Sequence, residues 1–165
     1  MTKSQQFYLT LKKFGINFAS GVPCAAQKNI LPFFFNDPEM IYIGATREEE
    51  TVGIATGAFL AGKKPIVLMQ NSGLANCINA LASLCIPYKI PILILATWRG
   101  YPKDKNEPHY HHVMGRATIK LMNDLGIPVK IIPEKAPHTV IPLSIKEMQK
   151  QKRPVVMLLK RHIFK

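Results

Sequence analysis

Acidic side chains are scarce in this chain. Against 22 lysines and arginines its 165 residues carry 10 aspartates and glutamates, a formal net charge of +12. The basic residues are nonetheless spread out, with no dense run and no aromatic-studded basic strand, so the pattern does not read as a nucleic-acid surface. A positive field that draws in small anions, or an acidic partner subunit, accounts for the charge instead. Cysteine is also sparse. Cys24, Cys77 and Cys85 are scattered and odd in number, which rules out a disulfide framework or zinc-type pairs and leaves reduced core or pocket thiols. Long apolar runs are missing, since the longest, Ile90–Ala96, falls far short of a bilayer span. The opening MTKSQQFYLTLKKFG lacks the charged-then-apolar pattern of a signal peptide. The expectation is a cytoplasmic protein with no membrane or nucleic-acid partner.

What is present is an alternation of helical and strand patterns. Ser4–Phe14 has helical spacing at Phe7, Leu11 and Phe14, stopped by Gly15. Strands are expected at Ile16–Ala19, Met40–Ile43, Pro65–Met69, Ile92–Ala96, Val129–Ile132 and Val155–Leu159. Helices are expected at Ala25–Phe35 (interrupted by Pro32), Arg47–Ala61, Leu74–Leu84, Ala117–Leu125 and Val140–Gln151. Lys160–Lys165 reads as a solvated basic tail. Such alternation predicts an α/β fold, a mainly parallel sheet of about six strands covered by helices on both faces, in one domain spanning residues 1–165. In sheets of this kind ligands bind beyond the carboxyl ends of the strands. The loops Gly44–Glu48, Gln70–Gly73 and Thr97–His112 all fall there, and the last is long enough to suggest function.

The chain is organised around TREEETVGIATGAFLAGKKPIVLMQNSG, residues 46–73. Three glutamates open the helix, where negative charge complements the helix dipole. Past Val52 the helix is nearly uncharged on every side, which predicts burial. Counting 4, 7 and 11 residues on from Glu48 gives Val52, Ala55 and Phe59, so its carboxylate points along an apolar face. Solvated, dipole-matching glutamates are the plainer reading of the triplet. A carboxylate aimed at a dry interior needs a partner or a function. Gly53, Gly57 and Ala61 repeat at four-residue spacing and leave room for another backbone. Gln70-Asn71-Ser72-Gly73 has the composition of a strand-to-helix turn, with Asn71 or Ser72 as cap.

The segment EEETVGIATGAFLAG resembles the pyrimidine-binding helix of thiamine-diphosphate-dependent decarboxylases, in which an opening glutamate bonds N1′ of the cofactor. Three blocks in order, REEETVGIATGAFLAGKKPIVLMQNSGLANCINALASL, PYKIPILILATWRG and EPHYHHVMGRAT, resemble the sulfopyruvate and phosphonopyruvate decarboxylases over roughly residues 21–133. The resemblance implies thiamine diphosphate as cofactor, with Glu48 on its pyrimidine and Asn71, Ser72 and Gly73 along the pyrimidine edge. It implies that His111 and His112 correspond to a paired-histidine loop that meets the substrate and passes protons near neutrality. Arg99 and Arg116 are candidates to grip an anionic 2-keto acid through paired N–H donors. For each of these residues a plainer alternative exists: a helix cap, a solvated loop histidine, a surface ion pair. Glu49 and Glu50 do not match the family position and read as structural.

Single-chain relatives carry a second domain with a Gly-Asp-Gly motif that holds magnesium and the diphosphate. This sequence has no such motif around Asp37, Asp104 or Asp124. The resemblance therefore implies no metal ligand on this chain. A beta subunit carrying the diphosphate- and magnesium-binding domain is implied, along with self-association. The implied reaction turns 3-sulfopyruvate into sulfoacetaldehyde and carbon dioxide in coenzyme M biosynthesis. The rivals are the same half-enzyme acting on phosphonopyruvate, and a non-catalytic binding module on the same fold.

Overall fold

The computed structural model describes residues 1–101 and 105–164. Residues 102–104, inside the expected polar loop, and Lys165, at the end of the expected tail, lie outside the described residues. Six strands form one sheet: β1 (Phe18–Gly21), β2 (Ile41–Gly44), β3 (Pro65–Gln70), β4 (Leu93–Thr97), β5 (Val129–Ile131) and β6 (Val155–Leu159). Their order is β2-β1-β3-β4-β6-β5, and every neighbouring pair is parallel. The central strands β3, β4 and β6 are continuous β-branched and aliphatic runs because both of their faces are covered. The edges differ: Ile41 and Ile43 of β2 and Ile131 of β5 remain exposed.

One face of the sheet is covered by α1 (Lys3–Lys13), α2 (Leu31–Asn36) and α7 (Val140–Gln151), which bury Phe7, Leu11, Phe34 and Ile141. The other face carries α3 (Glu48–Leu60), α4 (Asn71–Asn76), α5 (Ile78–Ala80) and α6 (His112–Asp124), packed around Val52, Leu74, Leu81 and Met122. Cys77 and Cys85 sit inside this second core, where burial pushes their thiols up to about 12 and about 11. All three cysteines are free.

Several local expectations are corrected. The stretch after β1 is a single 3-10 turn, Ala25–Gln27, and the helix proper begins at Leu31, with Pro32 in its first turn where a missing N–H costs nothing. Residues Leu81–Cys85 wind as a π-turn, Ile86 N–H reaching back five residues to the Leu81 carbonyl at 3.0 Å. Helix α6 begins at His112, earlier than expected, because a 3-10 turn at His109–His111 feeds straight into it. Helix α3 is not buried all round: Thr51, Val52, Ala55 and Ala58 face the core, while Gly53, Gly57 and Leu60 are exposed. Uniform lack of charge thus marks one face for the core and leaves another open. The basic tail is not a solvated end either. Ile163 and Phe164 are buried, the Phe164 ring meeting Phe7 edge-on at 5.1 Å.

Candidate active site

The chain leaves β1 toward β2 on one side of the sheet and returns to β3 on the other, so the carboxyl ends of β1 and β3 part and open a crevice. An open hollow of about 310 Å³ lies there. It is lined by Pro23 and Cys24 after β1, Glu48 at the start of α3, Gln70 at the end of β3 and Ser72 after it, and Arg99 after β4.

Glu48 is half-buried at the mouth of α3. Its carboxyl group lies so close over Gly73 that a Cβ at position 73 would run into Glu48 Cγ, Cδ and Oε1. Glycine at 73 is therefore the space that the carboxylate occupies. Asn76 Nδ2 donates to Glu48 Oε2 at 3.3 Å. The neighbouring glutamates do other work. Glu50 accepts from the Thr46 hydroxyl at 3.0 Å and from the Thr46 and Arg47 N–H groups at 3.1 and 3.3 Å, closing the helix N-terminus; the hydroxyl first and then the two N–H groups hold its carboxyl below the usual range. Glu49 pairs with Arg47 at 2.6 Å.

Gln70, not Asn71 or Ser72, occupies the cap position of α4, and no side chain bonds that end. Ser72 Oγ accepts from Gln70 Nε2 at 2.8 Å, and Cys24 Sγ lies 3.3 Å from Thr97 Oγ1 and 3.6 Å from Gln70 Oε1. Asn71 turns away from the hollow. Its Nδ2 donates to the Arg99 carbonyl and to Thr118 Oγ1, both at 2.9 Å, and its Oδ1 accepts from Arg99 N–H at 3.1 Å. Asn71 is a strut that fixes the turn carrying Arg99.

The histidine segment is moored to that turn. A Cβ on Gly115 would collide with the Gly100 carbonyl, one on Gly100 would collide with the His111 carbonyl, and Gly100 has φ +70°. Trp98 Nε1 donates to the Gly115 carbonyl at 2.8 Å. Only glycines permit this approach. Between the two segments sits Glu107, whose side chain is fully buried. Arg99 Nε donates to Glu107 Oε1 at 2.6 Å, and His111 Nε2 lies 3.9 Å from the same oxygen. Glu107 Oε2 has no hydrogen-bond partner among the described residues. His112 Nε2, carrying a proton, donates to the Glu107 carbonyl at 3.0 Å. The two histidines are thus distinct: His112 ties down the loop, whereas His111 faces the Arg99 and Arg161 charges. Burial lowers the His111 pKa first, the Arg99 and Arg161 charges lower it further, and Glu107 opposes them.

Of the sequence candidates, Glu48, Ser72 and Arg99 line one hollow, Gly73 makes room within it, and His111 lies 3.9 Å from the Glu107 oxygen that Arg99 bonds. Arg116 is exposed on α6 and lines neither this hollow nor the basic one described below. Glu107 was not singled out, and Cys24 and Gln70 were expected only as a core or pocket thiol and as part of a strand-to-helix turn. Glu107 had a signal, being the one glutamate in a loop otherwise rich in lysine and histidine. Among the described residues no group of three or more His, Cys, Asp or Glu side chains is placed to hold a metal ion. Among the described residues no helix is long and apolar enough to cross a membrane.

The residues fit the aminopyrimidine half of thiamine diphosphate. A carboxylate at a helix start, with a glycine beneath it and amide and hydroxyl groups alongside, suits a planar nitrogen heterocycle. Glu48 is the one carboxylate among the described residues lining the hollow.

Residues 1–122 match the thiamine pyrophosphate enzyme, N-terminal TPP binding domain. The sulfopyruvate decarboxylase subunit alpha of Methanocaldococcus jannaschii is 42% identical over 160 residues, 96% of this chain and 93% of that one. The phosphonopyruvate decarboxylase of Streptomyces viridochromogenes is 38% identical over 124 residues, 75% of this chain but 31% of that longer one. Among solved structures, the benzoylformate decarboxylase of Polynucleobacter necessarius superposes with a TM-score of 0.77 at 22% identity, covering 99% of this chain and 30% of that one, a likeness of fold. The chain belongs to the sulfopyruvate decarboxylase alpha-subunit family of thiamine-pyrophosphate-dependent decarboxylases, as their N-terminal TPP-binding domain.

Proposed function

We propose that this chain is the pyrimidine-binding subunit of a decarboxylase that converts 3-sulfopyruvate into sulfoacetaldehyde and carbon dioxide, a step serving coenzyme M biosynthesis. The observation that carries the reading is the Glu48 carboxyl group lodged over Gly73 at the switch-point hollow, with Arg99 on the same wall. The near full-length match to a sulfopyruvate decarboxylase subunit supports the choice of substrate.

Thiamine diphosphate, when bound, supplies the nucleophilic carbon and electron sink that a 2-keto acid needs in order to lose carbon dioxide. The chain's own residues do the rest. Glu48 would hold the pyrimidine through a ring nitrogen, its carboxyl group placed to share a proton there. Gly73 keeps that carboxyl group in place, and Ser72 and Gln70 offer polar edges beside it. Arg99, oriented by Glu107 and by the Asn71 strut, presents a guanidinium to the anionic substrate. His111, neutral near pH 7, takes up and delivers a proton at the substrate, while His112 holds the loop.

A second subunit, carrying a Gly-Asp-Gly type domain, supplies magnesium and the diphosphate site. Helix α3 fits a contact with another chain. Gly53 and Gly57 are exposed, and a Cβ added at either meets nothing within 4 Å. Phosphonopyruvate is the competing substrate, favoured by the relative that acts on it and by the same cationic chemistry. The decisive experiment mixes the purified chain with a Gly-Asp-Gly-bearing partner, thiamine diphosphate and magnesium, and assays both keto acids. Turnover by the mixture and none by either part is expected. Robust activity from the chain alone would overturn the two-subunit reading, and preference for phosphonopyruvate would overturn the substrate.

A further inference from the structure

Beside the Glu48 hollow lies a second one of about 300 Å³, and the two share Ala25 and Arg99 in their walls. The second is lined by Lys28, Arg99, Arg161 and His162, and none of its lining residues is acidic. Arg99 is engaged by Glu107, but Lys28 and Arg161 are paired with no carboxylate among the described residues. Lys28 and Arg161 are exposed cations on the wall of one hollow beside Arg99, and like charges brought to one hollow favour an anion between them.

The cluster is held in place rather than hung on a loose end. Phe164 is buried against Phe7, and its carbonyl accepts from Asn29 Nδ2 at 2.6 Å, which ties the C-terminal turn to the residue next to Lys28. At the other end of that turn Lys160 pairs with Glu134 at 2.9 Å and lies 4.8 Å from the centre of the Tyr101 ring. Ile163 N–H bonds back to the Lys160 carbonyl at 3.2 Å and closes the turn that carries Arg161. The Arg161 charge also adds, after burial and Arg99, to the lowering of the His111 pKa.

We propose that Lys28, Arg99 and Arg161 hold the distal oxyanion of the substrate, a sulfonate or phosphonate on the carbon beyond the keto group. This hollow, and not Arg116, then selects 2-keto acids with an anionic far end. The proposal rests on the decarboxylase reading for its substrate but not for its binding chemistry. Arg99 stands at the junction, so the keto-acid end lies in the Glu48 hollow and the tetrahedral oxyanion in the basic one. A guanidinium meets such an oxyanion through two N–H groups, and the Lys28 ammonium adds a point charge.

The test uses two readouts. Sulfoacetate and phosphonoacetate, which cannot be decarboxylated by this route, are titrated calorimetrically into the full chain, alone and assembled with its partner, against acetate as a probe without the distal group. Both should bind more tightly than acetate, and the tighter of the two identifies the oxyanion. Arg161→Gln and Lys28→Gln should each weaken sulfoacetate binding roughly tenfold, the scale of one lost charged hydrogen bond, with partial recovery in Arg161→Lys. Lys120→Gln, which removes the same charge from the exposed face of α6, should not. In turnover, Arg161→Gln should raise KM for sulfopyruvate more than it lowers kcat, and should erode the preference for sulfopyruvate over pyruvate by a similar factor. Unchanged sulfoacetate binding in the Lys28→Gln/Arg161→Gln double variant would overturn the proposal, as would equal losses on sulfopyruvate and pyruvate. If no keto acid is turned over but sulfoacetate still binds through Arg161, the proposed reaction falls and the anion site stands.

Discussion

Glu48 and Arg161 border the same end of the sheet, yet they reach it by different routes. The Glu48 side is built from one continuous stretch, residues 46–73, in which a helix start, a strand and a glycine turn bring the carboxyl group and its seat together. The basic side is assembled from residues 28, 99 and 161, carried by three separate segments and joined by the Asn29 and Phe164 contacts. A local construction tolerates little, because Gly73 and Glu48 fill the same space. A composite construction is adjustable, because each cation contributes a share and none is indispensable. Chemistry common to a cofactor suits the first kind, and selection among substrates suits the second.

The largest expected effect breaks the local side. Glu48→Gln keeps the shape and removes the proton-sharing carboxyl group, so turnover of the assembled enzyme should fall on the order of ~10²-fold. Glu50→Gln should cost only helix-cap stability, read as a lower melting temperature with near-normal turnover. If Glu50→Gln were the dead variant, the assignment along the helix would be off by two residues. The next effect comes from Gly73→Ala, whose Cβ would displace the Glu48 side chain. Overpacking of this kind costs ~1–3 kcal/mol, and turnover should drop roughly tenfold while the helix remains. In a Glu48→Ala background the same alanine should be tolerated, and a double-mutant cycle of activity and melting temperature measures that coupling.

This contrast also explains what was legible in the sequence. The parallel six-stranded sheet could be read because β3, β4 and β6 are apolar runs separated by helical patterns, a signal carried within each segment. Glu48 could be read because its register along α3 is local. Which histidine faces the charged groups could not be read, since that depends on His112 bonding the Glu107 carbonyl and on the Gly100–Gly115 approach. Asn71 looked like a ligand or a cap and is a strut, because its partners, the residue 99 backbone and Thr118, are 28 and 47 residues away. The C-terminal tail looked solvated because Lys160, Arg161 and Lys165 make it basic, yet Phe164 finds Phe7 across the fold. Partners distant in sequence leave no local pattern.

Gly57→Leu sharpens the comparison from the outside of α3. Position 57 is exposed and an added Cβ meets nothing within 4 Å, so the isolated chain has room for the side chain. Replacing a helix-interior glycine should even raise the melting temperature of the isolated chain slightly, by a share of the ~1 kcal/mol that glycine costs. Assembly with the partner should weaken, read by sizing chromatography and by the concentration dependence of activity. An intact complex with a lowered melting temperature would place that face inside the chain's own packing.

The smallest effect is a titration, and it reports directly on whether the two sides meet. His111 is held below the ordinary histidine range by burial first, then by the Arg99 and Arg161 charges, with Glu107 pulling the other way. Between its folded and unfolded pKa values the unfolded chain binds the proton more readily. Stability linked to His111 is therefore fully present above the unfolded value and is lost as pH falls toward the folded one. Arg161→Gln removes one positive neighbour, so the His111 pKa should move up toward its ordinary value and the acid loss should shrink. Glu107→Gln removes the one opposing charge and should move it down. The chain has five histidines, so resonances in a pH series of NMR spectra are assigned by their loss in His111→Gln. The shift from Arg161→Gln should also diminish with added salt, because Arg161 is exposed and its charge is screened within about 10 Å at 0.1 M. An upward shift in Arg161→Gln and a downward one in Glu107→Gln join the C-terminal turn to the histidine segment. A His111 titration indifferent to Arg161 would separate them, and the basic hollow would then lie apart from the proton-transfer side of the site.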